Sequence, residues 1–257
     1  MTARTDHGEP SVFCAENLLR EARRQRGLAE GSLPPVCVLD PDGDIVRFLC
    51  RTGSAKRSSI WACYHTELWE ADIDDVRIGV VGCAVGASFA VLVAEQVFAS
   101  GGEFLISITS AGQIAPDLAP PCFILIDRAL RGEGTSHCYL PPEEDVAADP
   151  TLIAAVARGI DRTGIPLRLG TAWTTDAPYR ETATAIEQAR AAGALAVEME
   201  AAALYAFGHA TGRPLVCFAH VTNQMAQDAG DFEKGPAGGA EEALRIVAAT
   251  ARVWSDR

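Results

Sequence analysis

Short apolar runs alternate along the chain with segments of helical periodicity, which is the pattern of an α/β fold. The predicted strands are Val36–Leu39, Val76–Gly82, Phe104–Thr109, Phe123–Ile126, Leu195–Val197 and Leu215–Val221. The predicted helices are Ala15–Arg26, Phe89–Ala99, Asp149–Ile160 and Glu241–Trp254. Strands alternating with helices at short spacing favour parallel pairing through crossovers. We therefore expect an α/β fold with a central mixed, mostly parallel β-sheet flanked by helices.

The length of 257 residues suits one large domain with a substantial core. No internal repeat, low-complexity tract or linker divides the chain. Residues 1–35 are expected to form an N-terminal helical extension and residues 36–257 the main domain. The segment Ala226–Gly239, which carries Lys234, is rich in Gly, Asp and Pro. It is either an active-site lid or a surface loop.

Composition and charge narrow the class of protein. With 48% hydrophobic and 22% charged residues, the chain has the composition of a soluble globular protein. A formal net charge of −12 opposes non-specific nucleic-acid binding, which needs Lys and Arg to neutralise phosphates. No run reaches the roughly 18 apolar residues of a membrane span, and no signal peptide opens the chain. The eight cysteines include no CxxC pair, so we expect free thiols, no metal site and a cytoplasmic protein.

Two carboxylates, Glu198 and Glu200, follow the strand Leu195–Val197 directly and lead into a helix. In open α/β sheets, the carboxyl edge of the strands is where ligands bind. A pair of carboxylates at that edge is also a candidate for acid/base catalysis. We expect the rest of the chain to build a pocket against this edge.

Other strand ends carry features suited to anions. The turn at Asp40–Asp44 contains Gly43, and Arg47 lies close enough in sequence to fold back over it. A bent backbone beside an Arg is a possible anion cradle, although most such turns are only turns. Ser110 follows the strand Phe104–Thr109. The Gly-rich turn at Gly82–Ser88 is not GxGxxG, so we do not expect a dinucleotide site.

Taken together, these motifs resemble the nucleoside phosphorylase superfamily of uridine phosphorylases, hexameric-type purine nucleoside phosphorylases and nucleosidases. The resemblance runs from about Val36 to Met225, and its most specific mark is the run VEMEAA at Val197–Ala202, which is close to a ribose-binding signature. The order of the Gly43–Arg47 turn, the Gly-rich turn and Ser110 agrees with it. The implied fold is nucleoside phosphorylase-like.

The resemblance also implies roles for individual residues. Gly43, Arg47 and Ser110 would hold inorganic phosphate as co-substrate, Trp173 would pack on the base, and Met199 would line the ribose. Glu200 would accept hydrogen bonds from the ribose hydroxyls, as a carboxylate can from a vicinal diol, whereas Glu198 is expected to be structural. No metal or organic cofactor is implied. A homo-oligomer is expected, either a dimer or a trimer of dimers.

Two positions depart from that family pattern. Ser107 stands where family phosphorylases carry an Arg that binds phosphate, which removes a fixed positive charge. Asn223 stands where the purine-specific members place an Asp, and an amide cannot supply a proton. The uridine phosphorylase branch also has Asn in this region. Of the residues that read uracil in that branch, only Arg180 has a counterpart.

Three functions remain open from the sequence. The first is a pyrimidine-leaning nucleoside phosphorylase in which Glu200, Asn223 and Arg47 are the catalytic residues. The second is a nucleoside hydrolase, in which water oriented by Asp42 or Asp44 attacks the sugar. The third is a non-catalytic nucleoside-binding protein, because Ser107 and Asn223 both replace residues that take part in catalysis.

Overall fold

The computed structural model describes residues 6–225 and 230–257. Its strands are β1 (Val36–Asp40), β2 (Ala55–Arg57), β3 (Leu68–Ile73), β4 (Val76–Gly82), β5 (Phe104–Gln113), β6 (Cys122–Gly132), β7 (Asp145–Ala147), β8 (Leu167–Thr175), β9 (Ala194–Glu198) and β10 (Leu215–Asn223). Its α-helices are α1 (Ala15–Arg26), α2 (Asp44–Thr52), α3 (Ala87–Ala99), α4 (Pro150–Asp161), α5 (Ala183–Ala191), α6 (Ala201–Thr211) and α7 (Ala240–Ser255). Short 3-10 helices occur at Ser136–Cys138, Pro178–Arg180 and Pro236–Gly239.

The strands form one mixed sheet in the order β10-β6-β8-β9-β5-β1-β4-β3-β2, with β7 attached to β6. The sheet contains two sets of parallel strands. One set consists of β4, β1, β5 and β10, and the other consists of β6, β8 and β9. An additional pairing of β10 with β5 closes β10, β6, β8, β9 and β5 into a ring. The expected α/β class with a central mixed sheet flanked by helices is confirmed.

Helices cover the sheet on both sides. Helix α6 packs against α3, while α7 packs against α2 and α4. The central strands are buried almost throughout, as their near-continuous apolar sequences require. Helix α1 lies outside this core and packs on α3 through Leu19 and Ala22, in a small cluster that reaches Ala62 and Ala99. In the described part of the chain, no helix has the length and apolar character needed to cross a bilayer.

Several elements extend beyond their predicted limits. Strand β5 continues to Gln113 because its end pairs with both β9 and β10, so Ser110 lies inside the strand rather than after it. Strand β6 continues to Gly132, past a register shift between Ile126 and Arg128 that lets it follow β8. Helices α2 and α5 were missed because each is only nine residues long, and α2 begins directly in the Gly43 turn.

The start of helix α4 shows how local sequence determines an element boundary. Asp149 is the N-cap, and its Oδ1 accepts the backbone N–H groups of Thr151 (2.8 Å) and Leu152 (3.2 Å). Pro150 occupies the first helical position, where its missing N–H costs nothing. These bonds satisfy two donors that a helix start otherwise leaves unpaired.

We predict that Asp149→Ala lowers the free energy of unfolding by about 1 kcal/mol, the usual value of such a cap. Asp161→Ala at the other end of the same helix is the matched control, since a negative charge there gains nothing from the helix dipole. Urea denaturation of both variants checks this. Equal stability of the two variants would contradict the capping role of Asp149.

Candidate active site

The carboxyl ends of the parallel strands β4, β1, β5 and β10 meet at one edge of the sheet. The turn from β1 into α2 carries Gly43, and the turn from β4 into α3 carries Gly86. Ser110 lies near the end of β5, and Asn223 ends β10. The start of α6 joins the same edge, because Gly86 donates its N–H to Glu200. The structure therefore brings most of the predicted site residues together.

Glu200 is held at this edge by one of its two carboxylate oxygens. Its Oε1 accepts the backbone N–H of Gly86 at 2.6 Å. Its Oε2 is buried and has no hydrogen-bond partner among the described residues, although the Thr109 hydroxyl is a close neighbour. The residue as a whole is only 1% exposed. A buried carboxylate oxygen without a donor is costly unless a ligand or water supplies one.

Glu198, by contrast, has hydrogen-bond donors on both of its carboxylate oxygens. Its Oε2 accepts the backbone N–H groups of Glu200 (2.7 Å) and Ala201 (2.8 Å), and its Oε1 bonds to the Thr174 hydroxyl. The same hydroxyl accepts the N–H of Ala202 at 2.9 Å. A carboxylate in this position satisfies the open donors at the start of α6 and faces the positive end of the helix dipole.

Both carboxyl groups have a raised pKa in the folded protein. Burial is the main cause of the raised pKa of Glu200, and the negative charge of Glu198 raises it further. Burial also raises the pKa of Glu198, while its hydrogen bonds to Thr174 and to the start of α6 oppose that effect. Because Glu198 has more donors, it is the better placed of the two to remain ionised. Glu200 is the one whose ionisation depends on a ligand.

The turn between β1 and α2 requires glycine at position 43. Gly43 has a φ of 77°, a left-handed conformation. A Cβ at this position would lie 2.7 Å from Sγ of Cys83 and 2.8 Å from Nη1 of Arg47. Arg47 thus folds back over the turn, as predicted. Its Nη2 donates to the carbonyl oxygen of Asp42 at 2.7 Å and to Oδ1 of Asp44 at 2.6 Å.

Ser110 meets this turn through the carboxylate of Asp42. Its backbone N–H donates to Oδ2 of Asp42 at 2.6 Å, and its hydroxyl donates to Oδ1 at 2.8 Å. Both donors that were expected to bind phosphate are therefore bonded to a carboxylate of the chain itself. The two Ser110 donors thus converge on one carboxylate, in the arrangement that would also suit an oxyanion.

Lys234 reaches the same cluster from the loop that follows β10. Its Nζ lies 2.5 Å from Oδ2 of Asp44 and 3.7 Å from Oδ1 of Asp42. Buried groups lie behind these charges: burial raises the pKa of Asp40 to about 7 and lowers the pKa of His220 to about 4. Both groups line a cavity of about 20 Å³ together with Asp42, close to the space that one water needs.

The other end of the site is apolar. Trp173 is partly buried in a cluster with Ile114 and Val197, and this cluster extends to Met225. The amide of Asn223 accepts the N–H of Met225 at 2.9 Å and donates to the Thr222 hydroxyl at 3.1 Å. Between Val221 and Asn223 the pairing of β10 with β5 shifts register, which is a β-bulge. Bulges of this kind re-aim side chains beside active sites.

Three further predicted site residues differ in their exposure and hydrogen bonding. Met199 is partly exposed between the two carboxylates. Ser107 is 2% exposed, and its hydroxyl has no hydrogen-bond partner among the described residues. Arg180 is exposed in the short helix Pro178–Arg180, and no hydrogen bond within the described ranges ties it to the site. No described hydrogen bond therefore links Arg180 to the other predicted residues, and its role stays a prediction.

Some contacts of the site were not predicted. The hydrogen bond from Gly86 of the Gly-rich turn to Glu200 has no counterpart in the sequence analysis. The bonds from Ser110 to Asp42 and the contact of Lys234 with Asp44 were also missed. The only sequence signal for Lys234 was its presence in a loop whose role was left open, and that loop includes residues 226–229, outside the described residues.

Comparison with known proteins identifies the family of the chain. The sequence pattern of the Phosphorylase superfamily matches residues 36–252. The chain therefore belongs to the phosphorylase superfamily, and the expectation of an enzyme of the nucleoside phosphorylase type is confirmed.

Individual relatives differ in the reaction that their names describe. A uridine phosphorylase of Thermococcus kodakarensis is 27% identical over 249 residues, which cover 82% of this chain and 89% of the relative. A DeoD-type purine nucleoside phosphorylase of Shewanella denitrificans is 26% identical over 58% of this chain and 64% of its own. The crystal structure of an AMP nucleosidase from Bacteroides thetaiotaomicron superimposes with a TM-score of 0.73 at 20% identity, covering 94% of this chain and 97% of that chain.

The raised pKa of Glu200 predicts a pH-dependent stability. The folded protein holds this proton more tightly than the unfolded chain, whose carboxyl has a pKa of about 4.5. The associated stabilisation is therefore present at low pH and is lost as the pH rises towards the raised pKa. We expect wild-type protein to lose more stability than Glu200→Gln between about pH 5 and pH 8, by about 1.4 kcal/mol per unit of pKa shift.

Thermal or urea unfolding of both proteins at the two pH values measures this difference. Glu187→Gln, which alters an exposed carboxylate paired with Arg190 on α5, is the control and should follow the wild type. Identical pH dependence of Glu200→Gln and wild type would contradict the raised pKa.

Proposed function

We propose that this enzyme cleaves the N-glycosidic bond of a ribonucleoside by phosphorolysis. A phosphate oxygen forms a bond to C1′ while the C1′–N bond breaks, and the base leaves with the bonding electron pair. The products are free base and ribose 1-phosphate, and no metal or organic cofactor takes part. The observation that carries the proposal is Glu200, whose buried Oε2 lacks a donor while Gly86 holds its Oε1.

Glu200 suits a sugar with vicinal hydroxyls. Hydroxyls on C2′ and C3′ would donate to the carboxylate and supply the partner that Oε2 lacks. Binding would favour the ionised form of Glu200, whose pKa burial raises in the free protein. The resulting negative charge would then lie close to a sugar ring that becomes positively charged as the C1′–N bond breaks.

Phosphate would bind where Gly43, Arg47 and Ser110 converge. The Gly43 turn brings the Arg47 guanidinium against the backbone, and Ser110 offers an N–H and a hydroxyl. In the free protein the two Ser110 donors bond to Asp42, so phosphate must take its place. The partial exposure of Asp42 leaves room for its side chain to turn towards solvent.

The base would lie at the apolar end of the site, where Trp173 packs on it and Met199 lines the ribose. We propose a pyrimidine preference, because Asn223 can donate a hydrogen bond but cannot protonate a leaving group. A uracil-like base leaves as a delocalised anion, for which hydrogen bonding suffices. The role of Arg180 in reading the base stays a prediction.

We also propose a cytoplasmic setting and a homo-oligomeric assembly. All eight cysteines of the chain are free, which fits a reducing cytoplasm. A homo-oligomer, either a dimer or a trimer of dimers, follows from the resemblance of the motifs.

The test is a nucleoside panel incubated with and without inorganic phosphate, followed by detection of free base and ribose 1-phosphate. We expect release of base only with phosphate and a higher kcat/KM for uridine than for inosine or adenosine. Release of base in phosphate-free buffer would refute phosphorolysis.

Glu200→Gln is predicted to lower kcat/KM by about 100-fold or more, because the amide removes the negative charge that stabilises the transition state. Glu187→Gln again serves as the control, with unchanged kinetics expected for its exposed position. Near-normal turnover of Glu200→Gln would refute the ribose role of Glu200.

A second candidate function, hydrolysis, is favoured by one specific observation. The Asp42 carboxylate already accepts both Ser110 donors and lines a cavity about the size of one water. A water held there could attack C1′ while Asp42 accepts its proton, with release of free base and ribose. In that case, the anion site would never take up phosphate.

Asp42→Asn separates these two mechanisms by opposite effects. If phosphate is the nucleophile, loss of the competing charge should lower the KM for phosphate, by up to about 10-fold for a charged hydrogen bond. If water is the nucleophile, loss of the general base should lower turnover by about 100-fold or more. Steady-state kinetics at several phosphate concentrations distinguishes them. A raised KM for phosphate in this variant would contradict competition between Asp42 and phosphate.

A further inference from the structure

We propose that Lys234 supplies the principal positive charge for phosphate binding at this site. The inference rests on the proposed phosphorolysis and adds a residue to it that the family resemblance did not identify. The ammonium group lies between two carboxylates at the nucleophile end of the site, 2.5 Å from Oδ2 of Asp44 and 3.7 Å from Oδ1 of Asp42.

The position of Lys234 relative to Ser110 supports this role. Asp42 is the carboxylate that accepts both Ser110 donors, so its oxygens mark where an anion sits. Lys234 approaches the oxygen, Oδ1, that the Ser110 hydroxyl contacts at 2.8 Å. An anion in place of Asp42 would thus have the ammonium on one side and the Ser110 donors on the other.

The side chain of Lys234 is also less exposed to solvent than that of Arg47. Its side chain is 19% exposed, against 58% for Arg47. A charge with less solvent around it is screened less, so it attracts an anion more strongly. Ser107, which lies on β5 three residues before Ser110, contributes no charge. Most of the attraction for phosphate therefore falls to Lys234.

The loop that carries Lys234 is anchored to the strand that carries Asn223. The backbone N–H of Glu233 donates to the carbonyl oxygen of Thr222 at 2.8 Å, and Phe232 forms a β-bridge with Asn223. Phe232 also lies against the ammonium, with its ring centre 5.8 Å from Nζ. These contacts hold Lys234 at the site through described backbone on both sides of it.

Exchange of Asp42 for phosphate keeps the ammonium group paired. An ammonium has three protons to donate, so Lys234 can keep Asp44 as a partner while it bonds to a phosphate oxygen. Asp42, whose side chain is 27% exposed, then turns to solvent. Without Lys234, phosphate would enter beside Asp44 with only Arg47 to balance the charges.

The first test compares Lys234→Gln and Lys234→Arg with wild type in phosphate-dependent base release. We expect Lys234→Gln to raise the KM for phosphate about 10-fold or more, as loss of a charged hydrogen bond does. The KM for nucleoside should change little, and Lys234→Arg should restore much of the phosphate affinity. Lys56→Gln is the matched control, since Lys56 is an exposed residue of β2 and the only other lysine in the chain.

The second test uses wild-type protein and does not depend on a variant that folds. An amine-reactive acetylating reagent is applied with phosphate or with chloride at equal ionic strength, and modification of the two lysines is followed by mass spectrometry. Phosphate should slow acetylation of Lys234 several-fold and leave Lys56 unchanged.

The outcomes separate this inference from the proposed function. Phosphate-dependent base release with an unchanged phosphate KM in Lys234→Gln would overturn the role of Lys234 alone. Equal acetylation of Lys234 with phosphate and with chloride would do the same. Base release by wild type that needs no phosphate would overturn both the inference and phosphorolysis.

Discussion

Two carboxylates buried side by side at the start of one helix are the constraint on which this site depends. Glu198 receives the Thr174 hydroxyl and the backbone N–H groups of Glu200 and Ala201. Those bonds hold the first turn of α6, while Glu200 receives the N–H of Gly86 on one oxygen and has the Thr109 hydroxyl as a close neighbour. One carboxylate thus stabilises the scaffold, while its neighbour stays short of partners. Unsatisfied polar groups of this kind are typical of functional sites, where a ligand completes them.

The two ends of the proposed site differ in whether their polar groups already have partners in the free protein. The sugar end has an unsatisfied acceptor, so binding adds a contact that the free protein lacks. At the proposed anion end, Arg47, Ser110 and Lys234 already have carboxylate partners, so binding must exchange one anion for another. The net gain on exchange is smaller than for an empty cationic pocket, and it depends on how freely Asp42 turns to water. In the proposed reaction, selectivity between phosphate and water would therefore depend on residues of the chain that compete with the nucleophile.

Sequence reasoning worked where the relevant residues are close together along the chain. The strand ending at Val197, the carboxylates after it and the folding back of Arg47 over Gly43 are all short-range features, set by periodicity and by the conformation of glycine. It failed where contacts link distant segments. Ser110 meets Asp42 across 68 positions, and Lys234 meets Asp44 across 190. Such pairs arise from strand order and ring closure, which no local pattern in one sequence reveals. Helix α2 was missed for a different reason: it is only nine residues long and follows the Gly43 turn without an intervening segment.

The pairing of β5 with β10 has a consequence for how this site can change over evolution. Ser110 lies opposite His220, and Asn223 lies opposite Gly112, so the register of these two strands would set the span between the proposed nucleophile and base sites. Two residues of a strand cover roughly 6.6 Å, which is the distance along β5 from Ser110 to Gly112. The bulge before Asn223 adds one residue to β10 without moving Ser110. Gain or loss of a single residue there would turn a different side chain towards the base and leave the anion end intact. Base preference and choice of nucleophile can therefore diverge independently.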